Sequence, residues 1–235
     1  MAKVVSRKDK RGPRRGTNWL LIGGIVAVGI IGLFVLLFVT LQGQGVATPT
    51  PEPVANLAQF CTANEENCVE KGDPEAPVTV VEISDYGCSH CRNFNLGGTA
   101  DALDEMYVEA DQVRWIVVPY ALRQATQPAA EASLCAAEQG EFYPYHNQLF
   151  QLQGTDEALT KEGFLQAASE VGLSVDEFES CYDSNRYSSV VQRNVAVAGS
   201  AGVAATPTFF INGRKVEGNL PLADFQERIE AALGS

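Results

Sequence analysis

Val78-Thr79-Val80-Val81-Glu82-Ile83, then Asp85-Tyr86-Gly87, then Cys88-Ser89-His90-Cys91 is the stretch that most narrows what this chain can become. The β-branched run predicts a buried strand, the Asp-Tyr-Gly triplet breaks it, and a helix-compatible stretch follows from Cys91 to about Glu109. Strand, turn, Cys-x-x-Cys and helix put the first cysteine at a helix N-terminus. Unpaired backbone N–H groups there act like roughly half a positive charge, so a thiolate at Cys88 is stabilised and its pKa lowered. Two thiols at this spacing either close a small ring or stand open as a dithiol. Such a pair can carry electrons.

The flanking patterns extend the unit. Val113-Arg114-Trp115-Ile116-Val117-Val118 predicts a second strand, and Phe94, Leu96, Leu103 and Met106 form the apolar side of the helix between the two. A strand–helix–strand unit of this length is a parallel pair with a right-handed crossover. The next 80 or so residues are helical in character: 127–139, 142–153 (with Phe142, Tyr145, Leu149 and Phe150 at helical spacing), 161–171 and 175–183 after the caps Thr160 and Ser174, and 186–199. Two β-rich arms then flank Asn212-Gly213, the strongest short hairpin signal, and 220–233 supplies a closing amphipathic helix. The predicted order is βαβ, helical insertion (about 121–200), ββα, an α/β fold.

Not all 235 residues can belong to that globule. Trp19 to Leu41 is an uncharged apolar run, long enough at about 1.5 Å per residue to cross a hydrocarbon core of roughly 30 Å. Lys3, Arg7, Lys8, Lys10, Arg11, Arg14 and Arg15 precede it against the single acid Asp9, which predicts a cytoplasmic N-terminus (1–18), a transmembrane helix (19–41) and an extracytoplasmic domain. The competing reading is a cleaved signal peptide ending near the small residues Gly45 and Ala47, but signal h-regions usually run about 7–15 residues. Residues 42–58, with Pro49, Pro51 and Pro53, predict an extended tether to a domain over 59–235. The first 20 residues carry seven bases and one acid; the remainder carries 10 bases and 28 acids, a net of −18. So acidic a domain is repelled by nucleic acid and anionic headgroups.

Six cysteines, at 61, 68, 88, 91, 135 and 181, fit an oxidising compartment. With Cys88 and Cys91 set aside as the redox pair, the other four allow three connectivities. The expected pairs are Cys61–Cys68, closing a short loop, and Cys135–Cys181, pinning two helices, though sequence alone does not decide among the three. A zinc site from Cys61, Cys68, Cys88 and Cys91 has the wrong ligand spacing, and no metal or cofactor is expected. His146 is expected to be a packing or surface residue of its helix.

This order of elements, with Cys-x-x-Cys after the first strand and Thr206-Pro207 before the hairpin, resembles the DsbA family of thioredoxin-fold thiol oxidoreductases, in particular its membrane-anchored, single-domain bacterial members. The resemblance covers nearly all of 74–233. It is carried by Val80-Val81-Glu82-Ile83 before Cys88-Ser89-His90-Cys91, by Cys135-Ala136-Ala137-Glu138-Gln139-Gly140-Glu141-Phe142, and by Gly202-Val203-Ala204-Ala205-Thr206-Pro207-Thr208-Phe209-Phe210-Ile211-Asn212-Gly213.

The resemblance implies Cys88 as nucleophile, Cys91 as buried resolving partner, and His90 as a stabiliser of the Cys88 thiolate. It implies a cis bond before Pro207 that exposes the Thr206 backbone to a substrate peptide, and an acid, Glu82, that moves the proton of the buried cysteine. The alternative for Glu82 is the polar face of an edge strand. The activity implied is disulfide donation to thiol-containing secreted or membrane proteins. Reoxidation would come from a membrane oxidase of the DsbB or vitamin-K-epoxide-reductase-like type, and the protein is expected to be a monomer. Ser89 stands where the family usually has Pro and Thr206 where DsbA itself usually has Val. An isomerase or reductase therefore remains open, as does, from another class, a redox-inactive anchored binding or chaperone module.

Overall fold

The computed structural model describes residues 56–234. The predicted transmembrane helix, the basic segment and most of the tether lie outside the described residues. Among the described residues no helix is long and apolar enough to cross a membrane.

Five strands form one mixed sheet in the order β1-β3-β2-β4-β5. They are β1 (Val69–Lys71), β2 (Val78–Ser84), β3 (Val113–Pro119), β4 (Thr208–Ile211) and β5 (Arg214–Glu217). β2 and β3 run parallel, and the other pairs are antiparallel. The predicted βαβ unit and hairpin are both present, the latter turning at Asn212 and Gly213 with φ of 44° and 79°. Two consecutive positive φ values match the right-handed twist of the arms, and Asn-Gly tolerates them. β1 and the short helix α1 (Leu57–Ala63), both ahead of the unit, extend the predicted order.

The period-2 alternation of β2 divides its side chains between two cores. Val78 and Val80, with Trp115, Val117, Phe209 and Ile211, face Phe94, Leu103, Phe225 and Ile229. Those residues come from α2 (Ser89–Leu96), α3 (Thr99–Leu103) and α9 (Leu222–Leu233). Val81, Ile83, Ile116 and Val118 face the other way, onto Leu57 and Phe60 of α1 and onto Val197 and Ala198 of α8 (Ser188–Ser200).

The helical insertion has its own core. The alanine face of α4 (Gln127–Ala137) packs with Tyr145 and Phe150 of α5 (Phe142–Gln151), Phe164 of α6 (Lys161–Glu170) and Phe178 of α7 (Val175–Asp183). Cys135–Cys181 bridges α4 and α7, and Cys61–Cys68 closes the loop from α1 to β1. The architecture is a thioredoxin-like α/β fold with a mixed sheet and an inserted helical block.

The helix expected to run unbroken from Cys91 to Glu109 is in fact two. Gly97 and Gly98 interrupt it: Gly98 adopts φ 85°, and a Cβ on Gly97 would lie 2.3 Å from the Asn93 carbonyl oxygen. Chain direction changes there, α3 ends in a wide turn over Asp104–Val108, and Met106 is exposed rather than part of the apolar stripe.

Candidate active site

β2 carries the chain to the site, and three residues turn it into α2. Asp85 organises that turn although it is only 1% exposed. Its carboxylate accepts hydrogen bonds from the Gly87 N–H (2.7 Å), the Leu122 N–H (2.6 Å) and the Thr126 hydroxyl (2.6 Å), tying the β2–α2 turn to the loop after β3. A buried carboxylate is tolerated because charge-assisted donors surround it. Gly87 permits the approach, since a Cβ there would sit 2.6 Å from the Thr126 methyl carbon. Cys88 then caps α2 from an extended backbone (φ −94°, ψ 119°), so the helix N-terminus predicted from spacing is where the sulfur lies.

The two cysteines are free thiols in different surroundings: Cys88 is partly exposed, Cys91 fully buried. The Cys88 thiol is lowered to about 5, chiefly by a hydrogen bond from the Cys91 side chain, with help from the Thr206 side chain and then the backbone N–H groups of Cys91 and His90, and against the cost of partial burial. Burial pushes Cys91 far above the ordinary thiol range, and the neighbouring Cys88 adds to it. The Asp85 N–H points at the Cys91 sulfur at 3.5 Å. The pair therefore favours one proton on Cys91 and a thiolate on Cys88.

The loop before β4 closes over the sulfur. The Thr206–Pro207 peptide bond is cis, and the Cys88 thiol is 3.2 Å from the Thr206 carbonyl oxygen, to which it donates when protonated. The Thr206 side chain is buried beside the sulfur and helps to lower the Cys88 thiol. On another side Gln153 donates to the carbonyls of Tyr86 and Cys88, and the Arg92 guanidinium donates to the Phe150 carbonyl at 3.1 Å. His90 is exposed and makes no side-chain hydrogen bond.

Beneath the pair lies a buried polar chain. Glu82 is on β2, the central strand, and 1% exposed, which removes the edge-strand alternative. Its carboxyl receives the Trp115 indole N–H (3.0 Å), the Asn95 amide (3.1 Å) and the Ser84 hydroxyl. Burial nevertheless dominates these donors and raises its pKa. Asn95 also donates to the Cys91 carbonyl at 3.1 Å, linking Glu82 to the helix that holds the resolving cysteine.

On its other side Asn95 meets His146 Nε2 at 3.2 Å, and His146 Nδ1 meets the Tyr86 hydroxyl at 2.7 Å. Bond bookkeeping assigns the tautomer: Nε2–H donates to the Asn95 oxygen while Nδ1 accepts from Tyr86. Burial holds the ring neutral, pushed down to about 3. His146, expected as a packing or surface residue, is thus an inward-facing member of the network, 2% exposed.

Asp85, Asn95, His146 and Gln153 were not singled out from sequence as site residues. Only Asp85 carried a local signal, the Asp-x-Gly pattern of a side chain accepting from the backbone two residues on. Among the described residues no group of His, Cys, Asp and Glu is arranged to hold a metal. A cavity of about 460 Å³ is lined by residues of β4, β5 and α9, none of them a site residue.

Known proteins share this fold. The thioredoxin family model matches residues 64–231. A Na(+)/H(+) antiporter NhaA 3 of Salinispora tropica is 33% identical over 173 residues, 70% of this chain but 24% of that protein. The chain spans about a quarter of the length of the antiporters it matches. Disulfide bond formation protein D of Bacillus subtilis is 25% identical over 168 residues, covering 69% of this chain and 75% of that one. The crystal structure of Wolbachia pipientis alpha-DsbA1 superposes with a TM-score of 0.64 at 24% identity, over 72% of this chain and 92% of that one, a likeness of fold.

Proposed function

Because the chain belongs to the thioredoxin family, among its DsbA-like members, we propose that it is a thiol:disulfide oxidoreductase that donates disulfides to extracytoplasmic proteins through Cys88 and Cys91. The observation that carries this reading is the asymmetry of the pair, a partly exposed Cys88 lowered to about 5 beside a buried Cys91 that is raised. Whatever favours the Cys88 thiolate stabilises the reduced enzyme and makes its disulfide the better oxidant.

In the oxidised enzyme a substrate thiolate attacks Cys88 Sγ, the more exposed sulfur of the pair. The Cys88–Cys91 bond breaks, a mixed disulfide forms, and the electron pair leaves on Cys91. That thiolate is buried and strongly basic, so it takes a proton, and the Glu82 carboxyl, whose pKa burial raises and which Asn95 links to the helix holding Cys91, is the group that relays it. A second substrate thiolate attacks its partner sulfur in the mixed disulfide and expels Cys88, a good leaving group because its thiolate is stabilised. Substrate gains one disulfide, and the enzyme gains two electrons. The Thr206 carbonyl lines the sulfur and offers a strand-like hydrogen bond to the substrate backbone. His90 supplies a ring N–H at the exposed rim.

Anchoring through residues 19–41 and reoxidation by a membrane oxidase complete this reading. A Cys91→Ser variant of the full-length chain should trap substrates as mixed disulfides on Cys88, released by dithiothreitol. In glutathione buffers the Cys88–Cys91 pair should be reduced in preference to Cys61–Cys68 and Cys135–Cys181. An equilibrium as reducing as that of thioredoxin would sink disulfide donation and favour a reductase or isomerase. Resistance of the pair to mild reductant would leave a redox-inactive module.

A further inference from the structure

The described residues carry ten bases against 27 acids. With nearly three acids available to each base, an ion pair is the expected fate of every cation. Lys71, Arg114, Lys161, Arg186, Arg193 and Lys215 do sit against carboxylates. Four arginines have no ion pair within the described residues: Arg92, Arg123, Arg214 and Arg228. Two of the four flank Cys88.

Both of these are held in place by carbonyl oxygens instead of carboxylates. Arg92 lies one turn into α2, with its N–H bonded to the Cys88 carbonyl at 3.1 Å and its guanidinium Nε donating to the Phe150 carbonyl at 3.1 Å. Arg123 comes from the loop after β3, and its Nη2 donates to the carbonyl of Gly87, the residue before Cys88, at 3.4 Å. A carbonyl dipole orients a guanidinium without pairing its charge, although the Asp85 carboxylate approaches Arg123 across Gly87. The acid in this loop, Asp85, already accepts from Gly87, Leu122 and Thr126 and forms no ion pair with Arg123. The exposed Leu122, 42% accessible, adds an apolar surface beside that charge.

We propose that Arg92 and Arg123 form a cationic rim that selects substrate cysteines flanked by aspartate or glutamate. The inference rests on the disulfide-donor reading and names its substrate class. A domain with a net charge of −17 over these residues repels acidic segments at long range. Local cations at the reacting sulfur reverse that preference at contact, where the substrate thiolate must approach.

The test uses the oxidised full-length chain in neutral detergent and three dithiol peptides alike except for acidic, neutral or basic residues flanking the cysteines. Peptide oxidation is followed by acid quench and alkylation mass shift, at low and at 0.5 M salt. An exposed ion pair of this kind changes a rate by roughly two- to fivefold. The wild-type chain should therefore favour the acidic over the basic peptide by about tenfold at low salt and lose most of that preference at 0.5 M.

Arg92→Gln/Arg123→Gln should abolish or invert the acidic-to-neutral ratio. Arg214→Gln/Arg228→Gln removes the same charge from β5 and α9, where both arginines line the cavity between those elements, and should leave that ratio within twofold of wild type. Equal shifts in both double variants, or no acidic preference in the wild type, overturn the rim. A wild-type chain inert toward the neutral peptide overturns the donor reading instead, and the rim with it.

Discussion

The lowered pKa of Cys88 makes a quantitative demand on how the redox equilibrium responds to pH. Reduction of the enzyme disulfide by two glutathione thiols yields, above pH 5, one thiolate on Cys88, one thiol on Cys91, glutathione disulfide and one released proton. With Cys88 at about 5, this proton count holds from just above pH 5 up to the ordinary thiol range near 8.5, where glutathione itself ionises. Each pH unit in that window should draw the equilibrium toward reduced enzyme about tenfold, equivalent to about 1.4 kcal/mol or about 30 mV for a two-electron couple. Between pH 5.5 and 7.5 the glutathione equilibrium constant should rise about 100-fold. The sign follows from a depressed acid pKa: stabilisation of the reduced form is complete above the ordinary thiol range and disappears as pH falls through 5. The slope depends on proton count alone, so solvent screening of the half-exposed sulfur does not weaken it. Glutathione buffers of fixed ratio, acid quench and alkylation mass shift read the equilibrium directly. A change of less than threefold across those two units would mean that the Cys88 thiol stays protonated near neutrality, and the reasoning from helix terminus and Cys91 donor would be wrong. Because the Cys91 side chain is the largest cause of the shift, Cys91→Ala should move the Cys88 thiolate absorbance titration upward, toward 8.5.

Three further outcomes follow from the buried network. Glu82 is raised in the fold, so the native state holds its proton to higher pH than the unfolded chain does; Glu82→Gln should raise the melting temperature at pH 8 but not at pH 4, while slowing release of Cys91 from the disulfide. His146, held near 3 against about 6.5 unfolded, makes the native state bind fewer protons as pH falls. Wild-type stability should drop by about 2–3 kcal/mol more than that of His146→Gln between pH 6.5 and 4.5, measured by urea unfolding at each pH. Asp85→Asn replaces an acceptor of three hydrogen bonds with a group that faces at least one of those donors with its own NH₂; urea unfolding should show a loss of about 2–4 kcal/mol in both redox states.

The parts of this site legible in the sequence are those written in local periodicity. A β-branched run, a breaker and a Cys-x-x-Cys before a helical stripe fix which cysteine lies at the helix terminus, because strand and helix periods are local. Glu82 shows the limit of that language. An acid inside an apolar strand has the same pattern whether the strand is central or an edge, and only the pairing of β2 with both β3 and β4 decides between them. His146 was hidden for the opposite reason. It sits among Phe142, Tyr145, Leu149 and Phe150 on an apolar helix face, and its partners are 60 and 51 residues away. The Gly97-Gly98 break likewise cost the long helix, since periodicity on either side continued through it.

The net charge of the domain pulls against its own chemistry, and distance decides the contest. Seventeen excess negative charges over the described residues oppose a thiolate at Cys88. Most of the acids lie on the solvated surface, where physiological salt screens them over a Debye length of about 8 Å. The groups that favour the thiolate are the Cys91 and Thr206 side chains and the N–H groups of α2's first turn, all within hydrogen-bonding reach of the sulfur. Short-range donors at a partly buried sulfur outweigh a screened global field, so the sulfur keeps its lowered pKa while the domain stays acidic. Adding exposed acids far from Cys88 should therefore leave its titration midpoint within about half a pH unit, whereas removing the single proton on Cys91 should not.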